Sequence, residues 1–117
     1  MKIIKVENIT VDLIKIFNLG INDELYSLEL EDKNIGYGLI RENLNNKIEV
    51  YILGDYQGKG YGTRLFKELL KMIGGDVSIQ VDIKNIIMRK ILMKCDAIEI
   101  GRNGQTIRYI IPNKRRI

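Results

Sequence analysis

Residues 51 to 66 read Tyr51-Ile-Leu-Gly-Asp-Tyr-Gln-Gly-Lys-Gly-Tyr-Gly-Thr-Arg-Leu-Phe66: an apolar run, three glycines at alternate positions, then the opening of an amphipathic repeat. Glycines at 58, 60 and 62 put no Cβ between the backbone and an approaching ligand. A helix starting there turns its unpaired N–H groups, and the positive end of its dipole, into the bend. Strand, glycine turn and helix in that order make an anion cradle, and phosphate is its usual guest. The chemistry of this stretch is recognition of a phosphate-bearing group by the main chain.

Three phosphate loops compete for the segment. The nucleotide-triphosphatase loop needs G-x-x-x-x-G-K-S/T, but Gly54 lies one residue too close to Gly58-Lys59, and Gly60 stands where a magnesium-binding hydroxyl belongs. The dinucleotide fingerprint G-x-G-x-x-G can use Gly58 and Gly60, yet its third glycine falls on Thr63. Asp82, about twenty residues on, sits where a ribose-binding acid would. Against it, that fingerprint normally opens a βαβ sheet, and here three strand-like segments precede the loop.

The third pattern is Gln57-Gly58-Lys59-Gly60-Tyr61-Gly62. It resembles the acyl-coenzyme A loop of the GNAT acetyltransferase superfamily, Gln/Arg-x-x-Gly-x-Gly/Ala between a strand and a helix. The flanks resemble it too: Val50 to Leu53 as the apolar strand, Asp55-Tyr56 as an acidic–aromatic pair, and Leu65, Leu69 and Leu70 as the helix's apolar face. Ile35-Gly36-Tyr37-Gly38-Leu39 looks like the third strand of the same family.

The elements that position the loop follow from periodicity and turn chemistry. Ile3 to Val6 reads as a strand. Thr10 caps a helix to about Asn18, with Leu13, Ile14 and Phe17 on one side and Gly20 as the stop. Leu25 to Glu31, Ile35 to Arg41 and a strand ending at Leu53 form an antiparallel meander, turning at Asp32-Lys33-Asn34 and at Asn43 to Asn46. A helix over about Tyr61 to Ile73 buries Leu65, Leu69 and Ile73, with Phe66, Leu70 and Met72 flanking, and ends at Gly74-Gly75. Val77 to Val81 is a strand. Asn85 opens a helix whose Ile87, Met88, Ile91 and Leu92 are apolar at helical spacing. Ala97 to Ile100 and Thr106 to Ile111 pair through Arg102-Asn103-Gly104-Gln105.

That order, together with the resemblance, predicts an α/β (α+β) fold of the GNAT kind. Its mixed, mostly antiparallel central sheet has about seven strands, a splayed parallel pair and about three helices. The resemblance spans essentially the whole chain, with one helix instead of two between the first two strands.

Composition sets further bounds. At 117 residues the chain is expected to be a single domain, 1–117, with one core. Apolar residues at 45% and charged residues at 29% are those of an ordinary water-soluble chain. No apolar run is long enough to span a bilayer, and the first residues lack a signal peptide's apolar stretch. A lone Cys95 excludes an internal disulfide and a multi-cysteine metal site, and a reducing cytoplasm is the expected location. There is no histidine, so acid–base work falls to carboxylates, tyrosines, lysines, the thiol or water. The net charge of +4 suits an anionic ligand. The tail Lys114-Arg115-Arg116 is read as solvated, because nucleic-acid binding needs a larger basic face.

The resemblance implies an acetyl-CoA co-substrate. Backbone groups of Ile52 and Leu53 would bond the pantetheine arm. The loop Gln57, Gly58, Lys59, Gly60, Tyr61, Gly62 and Thr63 would hold the pyrophosphate, with Lys59 and Arg64 adding charge. On this reading Gly60→Val blocks the loop sterically. The family's second motif, N-x-x-A-x-x-x-Y-x-x-x-G-F, begins at Asn85, which either contacts the arm or simply caps its helix. Met88, Leu92, Asp96 and Ala97 then replace the motif's alanine, tyrosine, glycine and phenylalanine. That tyrosine usually protonates the departing thiolate, and Leu92 cannot. A thiol of pKa about 8.5 still leaves tolerably without a donor.

An amine acceptor titrates near ~10.4 and must lose a proton before attack. Glu49 is the first candidate base, with Asp55 and Tyr51 behind it; Cys95 reads as a small core residue. The expected activity is transfer of an acetyl group to an amine, small molecule or protein, by direct attack; the short acceptor region points either to a macromolecular acceptor such as a protein amine or to a pocket closed by a homodimer partner. The alternative is a non-catalytic acyl-CoA sensor or scaffold.

Overall fold

The computed structural model describes residues 1–41 and 47–113. The expected turn at Asn43 to Asn46 and the basic tail from Lys114 lie outside them. The elements run β1 (Lys2–Lys5), α1 (Val11–Phe17), β2 (Glu24–Leu30), β3 (Lys33–Arg41), β4 (Lys47–Ile52), α2 (Tyr61–Lys71), β5 (Val77–Asp82), α3 (Ile86–Lys94), β6 (Ile98–Asn103) and β7 (Thr106–Ile111). A single 3-10 turn, Gly54–Tyr56, separates β4 from the glycine loop.

This is a GNAT-like α+β fold in which the seven strands form two sheets. One has the order β1-β2-β3-β4 and the other β5-β7-β6. Every ladder among the described residues is antiparallel. The sheet divides between β4 and β5, the pair expected to splay, which share no ladder.

Strand alternation gives the first sheet two unlike faces. On one, Ile48 is buried and Val50 and Ile52 pack against the main core, which also holds Leu65, Phe66, Leu69 and Leu70 of α2. Full burial of such a side chain stabilises by ~1.5–3 kcal/mol, so these four hold α2 in place. Close approach is secured at Gly38, where an added Cβ would lie 2.7 Å from Leu69 Cδ1. On the other face Tyr37 pairs with Tyr51 and Leu39 with Glu49. Phe17 of α1 packs there, its ring 5.1 Å from Tyr37 and 5.3 Å from Tyr51.

Several boundaries differ from expectation for local reasons. α1 stops at Asn18, in the left-handed region at φ 51°, before Gly20 is reached; asparagine tolerates that conformation. No residue of α1 is fully buried, so Leu13, Ile14 and Phe17 cover the sheet only in part. α2 ends at Lys71, and its buried stripe takes in Phe66 and Leu70 while Met72 is exposed. The β2–β3 turn is Glu31-Asp32, both at positive φ, instead of Asp32 to Asn34. In the last hairpin Asn103 stays in the strand and Gly104, at φ 62°, opens the turn.

Candidate functional site

The loop after β4 is built by a short series of hydrogen bonds. Leu53 N–H donates to Ile35 O across the sheet at 2.9 Å. Tyr56 N–H then turns back to Leu53 O at 2.9 Å, and Gln57 N–H to Gly54 O at 3.3 Å. The Gln57 side chain reaches back to the strand end, its Nε2 donating to Ile52 O at 2.8 Å. This strut gives the motif's glutamine a structural role: it fixes where the glycines begin.

Gly58 and Gly60 have φ of 74° and 88°, and no heavy atom lies within 4 Å of a Cβ built on either. Conformation, not crowding by protein, demands glycine there. The expected Gly60→Val block therefore meets no protein neighbour; its effect within the chain comes from φ. Gly60 is the N-cap of α2 and carries no side-chain cap; the first helical bond runs from Arg64 N–H to Gly60 O at 3.1 Å. The amides from Gly58 to Thr63 donate to no acceptor among the described residues. Six consecutive N–H groups are thus free for a ligand, at the positive end of the α2 dipole.

All of residues 58 to 63 except Lys59 border a cleft of about 370 Å³ between β4 and α3. Val50 and Ile52 of β4 form its apolar floor with Tyr56 and Tyr61, and α3 supplies Ile87, Lys90, Ile91 and Lys94 from the opposite wall. The lining offers main-chain donors, two ammonium groups and apolar carbon, with no carboxylate. That donor set fits a ligand with phosphates at one end and an apolar arm.

Of the residues singled out from sequence, Ile52, Gln57, Gly58, Gly60, Tyr61, Gly62 and Thr63 border this cleft. Lys59, Arg64, Leu53 and Asn85 lie outside its lining. Lys59 Nζ sits 5.8 Å above the Tyr56 ring. Because Leu53 N–H faces β3, alternation turns the N–H and C=O of Ile52 toward the gap. Asn85 caps α3, its Oδ1 accepting from Met88 N–H at 3.1 Å. Sequence reasoning missed the α3 wall. The signal was present as two i, i+4 pairs, Ile87/Ile91 and Lys90/Lys94, whose spacing puts all four toward one side.

The opposite face of β4 holds the candidate base. Glu49 Oε2 is ion-paired with Arg41 Nε, and its Oε1 accepts from the Tyr51 hydroxyl at 2.5 Å. Arg41 also donates to Asp23 Oδ2 and Asn18 O, each at 3.0 Å, and to Phe17 O at 2.5 Å. One guanidinium thereby joins β3, β4 and the end of α1. The hydrogen bond to Glu49 pushes its pKa up further. Burial and then the bond to Glu49 raise the Tyr51 phenol above its usual value. Arg41 escaped the sequence reading, since an arginine closing an exposed-looking strand carries no motif. Asp55 is exposed in the 3-10 turn.

At the C-terminal end of α3, Leu92 is fully buried in the core. Cys95 is buried as well, and that burial pushes its thiol pKa up. Asp96 takes a φ of 60°, a glycine-favouring conformation at the position where the family motif has glycine.

The chain belongs to the acetyltransferase (GNAT) family, whose profile matches residues 9–95. No curated protein matches its sequence. Among solved structures it resembles a variant of the spermidine N-acetyltransferase SpeG from Vibrio cholerae, at 19% identity and TM-score 0.71, over 91% of this chain and 75% of that one. It also resembles a Bacillus subtilis acetyltransferase in complex with CoA, at 15% identity and TM-score 0.71, over 95% and 97%. A third is the N-acetyltransferase PseH from Campylobacter jejuni in complex with acetyl coenzyme A, at 11% identity and TM-score 0.71, over 87% and 76%. At such identities the likeness carries the fold alone. Among the described residues, no helix is long and apolar enough to cross a membrane.

Proposed function

We propose that the protein transfers an acetyl group from acetyl-CoA to an amine, which attacks the thioester directly. The observation that carries this reading is the run of open amides from Gly58 to Thr63 beside an apolar cleft. Those amides and the α2 dipole would hold the diphosphate, with Lys59 and Arg64 adding charge from outside. The arm would follow the edge of β4 at Ile52 and pass Leu53, whose N–H is held by Ile35 and whose carbonyl accepts from Tyr56, and Asn85 keeps its Nδ2 donor available after capping α3. Bound there, the carrier supplies an activated acyl group; the chain's contribution is to hold it against the amine.

On the acceptor side, Glu49 is the proposed base, with Asp55 as a weaker candidate. To take a proton, Glu49 must exchange its bond with Tyr51 for one with the amine. The raised pKa of Tyr51 keeps the phenol protonated, so Tyr51 serves here as a donor. The amine class is supported by solved structures named as spermidine N-acetyltransferases. The partial cover given by α1 supports a second copy completing the acceptor end. A lone buried thiol suits a cytoplasmic setting.

Calorimetry with acetyl-CoA and a thiol-release assay over a panel of amines test the proposal. Saturating acetyl-CoA is expected to raise Tm, since a ligand of the native state alone must stabilise it. An unmoved Tm overturns the reading. A second reading, an acyl-CoA sensor or scaffold without turnover, is favoured by buried Leu92 and by the fully engaged Glu49. Tight binding with no thiol release on any amine would select it.

A further inference from the structure

We infer that Lys90 and Lys94 read the ribose 3′-phosphate of the carrier, making the cleft selective for coenzyme A over its dephospho form. The inference rests on the carrier reading above. The two lysines stand one turn apart on α3 and both line the cleft, on the wall facing the glycine loop. They also border an open hollow of about 850 Å³ on the other side of α3, so they form the cleft's rim and reach solvent. Neither is ion-paired with any described residue, and no carboxylate lines the cleft to neutralise them.

The loop amides already answer a diphosphate. Two unpaired cations on the facing wall call for a second anion, separate from the first. Coenzyme A carries one: a monoester phosphate on its ribose, whose second pKa near ~6 leaves it close to dianionic at neutral pH. Lysine suits this group, because its compact charge on a mobile stem follows a phosphate at a solvent-facing rim without a fixed bidentate geometry. Lys59 and Arg64 lie outside the lining and are not part of this site.

The test compares acetyl-CoA with dephospho-acetyl-CoA by calorimetry, on the unaltered protein and on Lys90→Gln, Lys94→Gln and the double variant. Both side chains are exposed, so the variants keep the fold, which Tm verifies. The unaltered protein should prefer acetyl-CoA by about tenfold at low salt. Each single change should remove about threefold, as expected for a rim ion pair, and the double change should abolish the preference while leaving dephospho-acetyl-CoA affinity unchanged. Raising ionic strength should shrink the preference in parallel. Equal affinities on the unaltered protein, or a preference surviving in the double variant, overturn the inference while leaving the carrier reading intact. Binding of neither compound overturns both.

Discussion

The two faces of the β3–β4 pair treat polar groups in opposite ways. Toward α2, six successive amides are left without partners among the described residues, and Gly58 and Gly60 among them face open space. Toward α1, one guanidinium gathers two carboxylates and two main-chain carbonyls, and a phenol takes the remaining oxygen of Glu49. A ligand arriving on the first face finds donors that need no rearrangement, so little is lost to reorganisation. A reactant on the second face must break a bond already made. Carrier binding should therefore depend on backbone conformation, and acceptor activation on the strength of a closed polar cluster.

The largest expected effect breaks the open face alone. Gly60→Val places a β-branched residue at φ 88°, at a strain of ~1–3 kcal/mol, and sends its methyls where the amides meet their ligand. Affinity for acetyl-CoA by calorimetry should fall on the order of a hundredfold, as several charge-assisted hydrogen bonds are lost. Gly60→Ala should fall between the unaltered protein and Gly60→Val. Next in size is Arg41→Leu, which leaves Asp23 and Glu49 without the cation they share. Because the cluster is only partly buried, the loss should be about 2–3 kcal/mol, below that of a fully buried pair, and chemical denaturation reads it. Carrier affinity should hardly change. If it falls in step with stability, the faces are coupled and the contrast fails.

The open face was far more legible in the sequence than the closed one, for a physical reason. Its chemistry is carried by φ and by absent side chains, so glycine at 58, 60 and 62 and glutamine at 57 leave a local signature within six residues. Strand alternation and the Thr10 and Asn85 caps were local as well, and the element order followed. The closed face depends on Arg41, Asp23, Glu49 and Phe17, spread over four segments and joined only by folding. The α3 wall lay between these cases. Its spacing was visible, but Ile87 and Ile91 were read only as part of an apolar helical repeat, and only the division between β4 and β5 reveals that this side of α3 faces a cleft. The left-handed Asn18 ended α1 before Gly20, and the left-handed pair Glu31-Asp32 moved the β2–β3 turn ahead of Lys33-Asn34.

A smaller effect sharpens the assignment of Asn85. Asn85→Ala removes the cap of α3 and should cost ~1 kcal/mol. Asn85→Asp keeps an accepting oxygen and so the cap, while replacing the Nδ2 donor with a negative charge. If Asn85 also contacts the arm, the aspartate variant should hold its Tm and lose carrier affinity severalfold. Unchanged affinity in that variant confines Asn85 to capping.

The smallest expected effect lies on the closed face and is seen through pH. The folded-state pKa of Tyr51 is raised by burial and by Glu49, so the unfolded chain gives up this proton at lower pH than the native one. Between the unfolded value near ~10 and the raised folded value, the unfolded state binds fewer protons, and stability falls as pH rises through that window. The contribution is intact below pH ~10 and is lost once the folded phenol ionises against Glu49. Tyr51→Phe should flatten this part of the alkaline stability curve. At neutral pH it should lose only about 0.5 kcal/mol, since Tyr51 is 44% exposed and water replaces the bond cheaply. It should also remove the phenol's bond to Oε1 of Glu49. If Glu49 is the base, the thiol-release rate at neutral pH holds or rises in this variant, whereas a rate that collapses with stability unchanged makes the hydroxyl itself part of acceptor chemistry.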